Sequence, residues 1–219
     1  NVVNNVSGAF GAFRRSFLQK IGGWDTHTAE DLDITLRIKN YFGRRPLRIP
    51  FEPCAIGHTD APVTFRQFLM QRLRWDGDLF FLYVRKHRHS FTPRLLGWPN
   101  FLVVLVSGFF FQLVLPFIIL GYFIVGLYSL TLSTFLVLAW LVYLVYLANT
   151  LLAYVVAVCM VSERPRQDLW LCWVVPLFPL FMFVMRCWSA VAILNEMIRR
   201  GHEETSMAPW WVLRKAKRF

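Results

Sequence analysis

The chain has 219 residues, with 24 Lys and Arg against 13 Asp and Glu, a formal net charge of +11, and 56% hydrophobic residues. This composition excludes a disordered chain, a collagen-like chain and a secreted disulfide scaffold. Residues 95–160 form a stretch of 66 residues without Asp, Glu, Lys or Arg, which is long enough to cross a bilayer more than once.

The polar segment before this stretch has the pattern of a mixed α/β fold. Val2-Val3 and residues 7–13 predict a short strand followed by a glycine-rich loop, in which small residues let a ligand or another strand approach the backbone. Gly22-Gly23 then predicts a turn. Residues 47–57 contain two prolines and a few β-formers, so they predict a short strand with an irregular edge.

Two helices are predicted in the same segment. Thr28-Ala29-Glu30-Asp31 fits a helix start, apolar residues follow at helical spacing, and residues 43–46 end the helix. A second helix is predicted after Thr64, which is the candidate cap, and it runs through Leu73.

Residues 78–97 combine aromatic and basic side chains. A run of apolar and aromatic residues, 79–84, is followed directly by the basic cluster 85–89. This arrangement favours a segment that lies in the membrane interface beside anionic headgroups. The alternative is a plain solvated end of a helix.

Two membrane spans are clear from hydropathy, within residues 101–130 and 136–161. Their connector, residues 129–133, has no charge, whereas basic residues precede the first span and occur in the loop 162–168. The distribution of Lys and Arg therefore predicts that the connector is outside and that the two basic segments are cytoplasmic.

A third apolar segment, residues 169–194, is interrupted by Pro176 and Pro179 and contains Arg186. This arginine must lie at an interface, face a polar cavity or pair with another group. A full third span would place the basic residues 214–218 outside, against the charge rule. Either the segment is re-entrant or interfacial, or the basic tail is an exception to the charge rule.

Two groups of residues are candidates for chemistry. Three carboxylates occur within residues 30–33 at a helix start, where capping and the helix dipole offer a purely structural explanation for each. In residues 71–75, the side chains of Gln71, Arg74 and Trp75 share one helical face. An amide, a guanidinium and an indole on one face suit a phosphate and a sugar ring, although a surface cation–π pair is the alternative.

The order of these motifs resembles the C-terminal half of the processive family 2 glycosyltransferases. The motifs are Ser7-Gly8-Ala9-Phe10, Gly22-Gly23-Trp24, Glu30-Asp31 and Gln71-Arg72-Leu73-Arg74-Trp75, and membrane spans follow them. The family includes the synthases of cellulose, hyaluronan and poly-N-acetylglucosamine. The Ser-Gly-Ala-Phe loop, the short charged loop after the second span and the Trp210-Trp211 tail are most similar to the poly-β-1,6-N-acetylglucosamine type.

The resemblance implies a domain order. Residues 1–77 would be the C-terminal part of a cytoplasmic α/β catalytic domain of GT-A type, and residues 78–97 the interfacial segment. Residues 98–198 would form an α-helical transmembrane region, and residues 199–219 a basic tail. The family's D-x-D metal motif is expected upstream of these residues, so the chain alone is expected to be inactive.

The resemblance also implies site residues. Asp31, with Glu30 beside it, would be the general base, and Ala29 stands where the family has Thr. Arg74 would contact the nucleotide diphosphate and Trp75 the acceptor sugar, with Gln71 positioning the same group. The implied cofactor is Mg²⁺ or Mn²⁺, which His58 could approach. The implied substrate-binding residues are Gln71, Arg72, Arg74, Trp75, Ser7, Gly8 and Ala9.

The predicted function is that of a multi-pass enzyme of the inner or plasma membrane with its catalytic segment in the cytoplasm. It would transfer sugar with inversion from a UDP-sugar, best UDP-N-acetylglucosamine, to a growing β-linked polysaccharide and export the product. The expected partners are the donor, the polysaccharide, the bilayer and a small accessory membrane subunit, without nucleic acid. The alternatives are a non-processive transferase that makes a glycolipid, a receptor or scaffold with a degenerate transferase domain, and a small transporter or channel module.

Overall fold

The computed structural model describes residues 5–24, 26, 28–42, 49–50, 52, 55 and 57–201. The chain divides into two compact units, Asn1–Pro116 with Trp188–Phe219, and Phe117–Cys187. The regular structure of the described residues is helical, and none of these residues forms a strand.

Residues 7–13 form a loop, as their glycine-rich sequence predicts. Residues 8–10 form a turn and the rest of this segment is irregular and mostly exposed, because Gly and Ala offer few side-chain contacts to hold a strand in a sheet. Val2-Val3, the helix end at residues 43–46 and most of the predicted strand 47–57 lie outside the described residues. The GT-A sheet is thus not found in the described ranges, and the α/β assignment stays a prediction.

Among the residues that the structure describes, three helices precede the apolar region. Helix α1 spans Arg15–Lys20 and was not predicted. The predicted turn at Gly22 and Gly23 is confirmed, with φ of +82° and +64°, which glycine adopts without a steric penalty. Helix α2 spans Glu30–Phe42, and its first turn carries the three predicted acidic residues.

Helix α3, Phe65–Phe80, begins where the sequence predicts. Thr64 accepts a hydrogen bond from the Gln67 backbone N–H over 3.2 Å, and the Gln67 side chain accepts one from the Thr64 backbone, which completes a capping box. The helix continues as a π-helical segment, Phe81–Lys86.

The core of the first unit combines side chains of α2, of this continuation of α3 and of later helices. Its largest fully buried apolar side chains include Ile34, Leu36, Phe81, Leu82, Leu96 and Ile193. Burial also raises the pKa of Tyr83 to about 12. Three apolar side chains of the predicted interfacial segment 78–97 therefore pack against protein, and the membrane location of this segment stays a prediction.

The apolar region begins with two short helices, α4 at Pro93–Leu96 and α5 at Trp98–Val103. A π-helical stretch, Val104–Val114, leads into α6 at Leu115–Ser129. After a tight turn, α7 spans Leu132–Val156 and ends in the π-helical segment Ala157–Val161. A short helix α8, Pro165–Asp168, and two 3₁₀ segments, Leu169–Trp173 and Val175–Leu177, precede α9 at Phe178–Arg199.

Three of these continuous helical stretches are long and apolar enough to cross a membrane: Trp98–Ser129, Leu132–Val161 and Val175–Arg199. They overlap the three predicted segments. In the second stretch none of the most apolar window is buried inside the protein, so its side chains are available to lipid. The structure thus has a candidate membrane region in the predicted place.

The third apolar segment is interrupted only near its beginning. Pro176 lies in the second 3₁₀ segment, and Pro179 lies in the first turn of α9, where a missing N–H leaves no helical hydrogen bond unmade. The following 22 residues form one continuous α-helix, in which Arg186 is half-buried.

Within the second unit, tyrosines of α7 hold the beginning of this third segment. Tyr154 donates to the carbonyl oxygens of Asp168 and Leu169, both over 3.0 Å, and Tyr143 donates to that of Pro176 over 3.0 Å. The phenol groups thereby attach α7 to the short helical segments that precede α9.

Candidate functional site

A cavity of about 290 Å³ brings together two groups of residues that the sequence singled out. Ser7 and Gly8 of the glycine-rich loop form one wall, and Glu30 and Asp31 at the start of α2 form another. Ala9 is adjacent in the chain but is not part of the lining. The remaining lining residues are Val6, Gly11, Phe13, Trp24 and Ile34.

Gly8 allows the loop to approach the acidic residues closely. A Cβ atom at this position would lie 3.1 Å from Oε1 of Glu30 and 3.2 Å from Cβ of Asp31. These distances are shorter than ordinary van der Waals contacts, so any larger residue would push the loop away from α2. The small residues of the loop therefore allow, in part, the carboxylates of α2 to lie close to the loop backbone.

The carboxylate of Asp31 is oriented by two hydrogen bonds. Its Oδ2 accepts from Nδ2 of Asn5 over 2.9 Å, and its Oδ1 accepts from the backbone N–H of Leu32 over 2.7 Å. The side chain is half-buried on the cavity wall, so it stays within reach of a molecule in the cavity.

Thr35, one turn further along α2, connects the same elements. Its Oγ1 lies 2.7 Å from the carbonyl oxygen of Asp31 and 3.2 Å from Oδ1 of Asn5, and it accepts from the backbone N–H of Val6 over 3.0 Å. Asn5 and Thr35 could not be predicted as site residues, because no local pattern pairs residues that are 30 positions apart.

The residue before the acidic pair has an unusual backbone. Ala29 has φ of +44°, and its carbonyl oxygen accepts from the backbone N–H of Asp33 over 2.9 Å. Positive φ is costly for any residue with a Cβ and more so for a β-branched one. Ala therefore fits this backbone better than the Thr that the resemblance leads one to expect.

Asp33 differs from its two acidic neighbours because it is completely buried and surrounded by basic side chains. Its carboxylate lies 2.9 Å from Nζ of Lys86, 2.7 Å from Nε2 of His87 and 3.1 Å from Nε of Arg37. Burial alone would raise the pKa of Asp33, but the hydrogen bonds from His87 and Lys86 outweigh it and hold the pKa below its usual value. Its role is structural, since it ties α2 to the segment that follows α3.

Helix α3 carries the second predicted group on the expected face. Trp75 is 46% exposed, and Arg74 is also exposed. The guanidinium of Arg72 lies 4.7 Å from the centroid of the Trp75 ring and 5.5 Å from that of Phe68. A surface cation–π pair, which the sequence offered as an alternative for this face, is thus present, and its cation is Arg72.

None of the cavity-lining residues comes from α3. The structure therefore joins the loop to the acidic residues but does not bring Gln71, Arg72, Arg74 or Trp75 into the same cavity. The buried bond from Thr28 Oγ1 to Oδ2 of Asp78 connects the beginning of α2 with α3.

Two aromatic residues of the cavity were not among the predicted site residues. The rings of Phe13 and Trp24 meet edge to face, with centroids 6.1 Å apart, and Trp24 remains 51% exposed. An exposed indole beside carboxylates is typical of sites that bind an amphipathic ring. The position of Trp24 after two glycines was the only sequence signal for it.

The described residues contain no group of three or more His, Cys, Asp or Glu side chains arranged to hold a metal ion. Asp76 accepts from Ser189 over 2.6 Å and Asp78 accepts from Thr28, while Asp33 is paired with basic groups. His58 lies in an exposed irregular segment, and its metal role stays a prediction. The described residues thus do not supply a complete ligand set for Mg²⁺ or Mn²⁺.

The sequence profile of glycosyl transferase family group 2 matches residues 2–212. Because this match covers nearly the whole chain, the protein belongs to that family of glycosyltransferases, with a candidate membrane region. A similar protein is the probable glycosyltransferase YdaM of Bacillus subtilis (strain 168), with 36% identity over 74 residues. The match covers 33% of this chain and 17% of that relative. No solved structure matches.

Proposed function

We propose that the chain is the acceptor-activating part of a membrane-embedded, inverting glycosyltransferase that extends a β-linked polysaccharide from a UDP-sugar. The observation that best supports this proposal is the position of Asp31. Its side chain lies on the wall of the cavity, is oriented by Asn5, and faces the loop at Ser7 and Gly8. Family membership supports the enzyme class. The donor, the polymer and its export are the parts that this proposal adds.

The volume of the cavity supports a sugar ring as its occupant. At about 290 Å³ it lies at the lower limit of ligand pockets, so it suits one monosaccharide unit better than a whole nucleotide sugar. Trp24 supplies an apolar platform for such a ring, and the carboxylates of Glu30 and Asp31 accept hydrogen bonds from its hydroxyl groups. We assign this cavity to the acceptor sugar beside the base.

In the proposed reaction, Asp31 accepts the proton of an acceptor hydroxyl as that oxygen attacks the anomeric carbon of the donor. The new glycosidic bond forms while the bond from the anomeric carbon to the diphosphate oxygen breaks, and the electron pair leaves with UDP. Attack opposite the leaving group inverts the configuration. Carboxylates are weak bases, so the fixed position of Asp31 contributes more to the rate than its basicity.

The helix that carries Gln71, Arg74 and Trp75 has the complementary role. Arg74 stabilises the charge that develops on the departing diphosphate, Trp75 packs against the acceptor chain, and Gln71 and Arg72 position these groups. Mg²⁺ or Mn²⁺ is the proposed cofactor, and none of the described residues is assigned to hold it. The exposure of Arg74 and Trp75 leaves both accessible to substrates.

The three apolar helices support a location in the plasma membrane, with the transferase part in the cytoplasm where UDP-sugars are made. The polymer would pass outward through the membrane region, alone or with a small accessory membrane subunit. We favour UDP-N-acetylglucosamine as the donor because the Ser7-Gly8-Ala9-Phe10 loop and the short charged loop after the second span are most similar to those of poly-N-acetylglucosamine synthases.

The test uses membranes that carry the intact protein, supplied separately with UDP-N-acetylglucosamine, UDP-glucose and UDP-glucuronate in the presence of Mg²⁺. We expect long products from UDP-N-acetylglucosamine alone. Long products from another donor would change the polymer and keep the enzyme class, whereas a single added sugar would indicate a glycolipid-forming enzyme. No UDP release from any donor would contradict the proposal.

A further inference from the structure

The C-terminal end of helix α9 contacts one side of helix α3. We propose that residues 188–199, the C-terminal half of α9, are a positioning element for Arg74 and Trp75. This inference rests on the proposed role of these two residues in transfer. It concerns contacts within the first compact unit, which contains both α3 and the chain from Trp188 onward.

Two hydrogen bonds from α9 bracket the motif on α3. Trp188 donates through Nε1 to the carbonyl oxygen of Leu69 over 2.9 Å, and Ser189 donates through Oγ to Oδ2 of Asp76 over 2.6 Å. Leu69 lies two residues before Gln71, and Asp76 directly follows Trp75. Adjacent residues of α9 thus hold α3 at both ends of the motif.

The contacted face of α3 is opposite the face that carries the motif. At 100° per residue, Leu69, Asp76 and Gly77 share one side of the helix. Gln71, Arg74 and Trp75 point about half a turn away from them. The supporting contacts therefore act on the side of α3 opposite the motif and fix the backbone that carries its side chains.

Buried Gly77 lies where the two helices are in contact. A Cβ atom on Gly77 would lie 3.4 Å from Cβ of Glu196 and 3.7 Å from the carbonyl oxygen of Ala192. Ala192 and Ile193 are almost completely buried. This is close packing of the kind that fixes the separation of two helices.

A buried ion pair closes the contact at the end of α9. Glu196 is only 2% exposed, and its Oε1 accepts from Nη1 of Arg85 over 2.9 Å. Nη2 of Arg85 also donates to the carbonyl oxygens of Glu196 and Met197, over 3.1 and 3.2 Å. The guanidinium thus both neutralises a buried carboxylate and caps the last turn of α9.

The remainder of α9 belongs to a stretch that is apolar enough to span a membrane, Val175–Arg199. One continuous helix therefore contains both a candidate membrane segment and the support of the motif-bearing helix. A displacement of this helix along its axis would move Leu69 and Asp76 and, with them, Arg74 and Trp75. The expected effect of loosening the contact is a slower chemical step, with little change in nucleotide affinity.

The first test removes the ion pair without leaving an unpaired charge. The double variant Glu196→Gln/Arg85→Gln is compared with Glu163→Gln, which removes an exposed carboxylate from the loop after α7. The measurements are kcat for transfer, the Kd of UDP, and the elution of the detergent-solubilised protein on size exclusion. We expect a folded double variant with a Kd within about twofold of the parent and kcat lowered about tenfold or more, since a 1 Å misplacement can cost 100-fold.

The second test uses the hydroxyl of Ser189. Ser189→Ala should also lower kcat. Ser189→Thr, which keeps the hydroxyl, should restore kcat to the parental value. A folded double variant and a Ser189→Ala variant that both turn over at the parental rate would overturn the inference. If these variants are normal while Arg74→Ala is inactive, only the inference fails; if Arg74→Ala is also normal, the proposed function of the motif fails.

Discussion

Asp33 and His87 are 54 residues apart in the chain, yet Oδ1 of Asp33 lies 2.7 Å from Nε2 of His87 in the interior of the first unit. Lys86 approaches the same oxygen atom to 2.9 Å. Through these contacts, the helix that carries Asp31 is tied to the segment that continues the helix of Arg74 and Trp75. The two groups of candidate site residues thus share one buried polar connection.

The Asp33→Asn variant should be strongly destabilised. The substitution removes the carboxylate that pairs with Lys86 and Arg37 in a buried site, and breaking a buried ion pair typically costs about 3–5 kcal/mol of the free energy of unfolding. Thermal unfolding of the detergent-solubilised protein at pH 7 measures this loss, with the exposed Asp60→Asn as the matched control. An unfolding temperature equal to that of the control would show that the cluster contributes no stability.

The contribution of Asp33 should also depend on pH. Because the pKa of Asp33 is lowered in the folded protein from 3.8, its ionised form stabilises the fold at all pH values above about 4. The stabilisation should disappear as the pH falls through the lowered pKa. The difference in stability between the parent and Asp33→Asn should therefore be constant from pH 7 to about pH 5 and shrink below pH 4; a difference that grows on acidification would contradict this assignment.

Replacement of Trp24 tests the assignment of the cavity to a sugar. Trp24→Ala should raise the KM for the acceptor on the order of tenfold, because the indole supplies an apolar platform worth about 1 kcal/mol or more. Trp24→Phe should restore most of the affinity. Exposed Trp98, which is 65% accessible and outside the cavity, provides the control Trp98→Ala. Unchanged acceptor kinetics in Trp24→Ala would exclude the indole from sugar binding.

Replacement of Trp75 should affect the polymer more than the nucleotide. Trp75→Ala removes the proposed platform for the acceptor chain, so product length should fall while the Kd of UDP changes by less than about twofold. Gel electrophoresis of labelled product and titration of UDP measure the two effects. Equal losses in both would place Trp75 at the nucleotide and not at the acceptor.

The sequence predicted those elements that carry local signals. Thr64 and Gln67 identify the beginning of α3 because a capping box is contained in four residues. The apolar helices were found because length and hydropathy suffice to recognise them. In contrast, the pairing of Asp33 with Lys86, of Asn5 with Asp31 and of Trp188 with Leu69 depends on tertiary packing across 26 to 119 residues, and no local periodicity reveals it.

The loop predicted at residues 7–13 illustrates the same limit. Its glycine-rich pattern predicted a close approach to the backbone, and this was confirmed, since Gly8 lies close to Glu30 and Asp31. The pattern did not identify these two partners, because small residues permit a close approach without specifying which group approaches.

The membrane orientation is tested with single cysteines in a background from which Cys54, Cys159, Cys172 and Cys187 have been replaced. His89→Cys and Arg200→Cys, both at exposed positions of the first unit, should resist an impermeant thiol reagent in intact cells. Ser133→Cys, in the first turn of α7 after the connector, should react. Labelling at position 89 but not at position 133 would invert the predicted topology.

Arg200 also distinguishes the two interpretations of the third apolar segment. Because the end of α9 packs against α3, we expect position 200 to behave like position 89. This result would favour a segment that enters and leaves the membrane on the same side. Labelling at 200 together with 133 would instead indicate a complete third span.

The most direct measurement for the whole account is the rate of UDP release by the intact protein and by its Asp31→Asn variant, with Asp60→Asn as the control. The substitution keeps the size of the side chain and an oxygen acceptor for Asn5, but it removes the base. We predict a loss of at least about 100-fold in kcat with UDP binding retained, while the control turns over normally. UDP release by Asp31→Asn at the rate of the control would contradict the assignment of Asp31 as the base and, with it, the proposed active site.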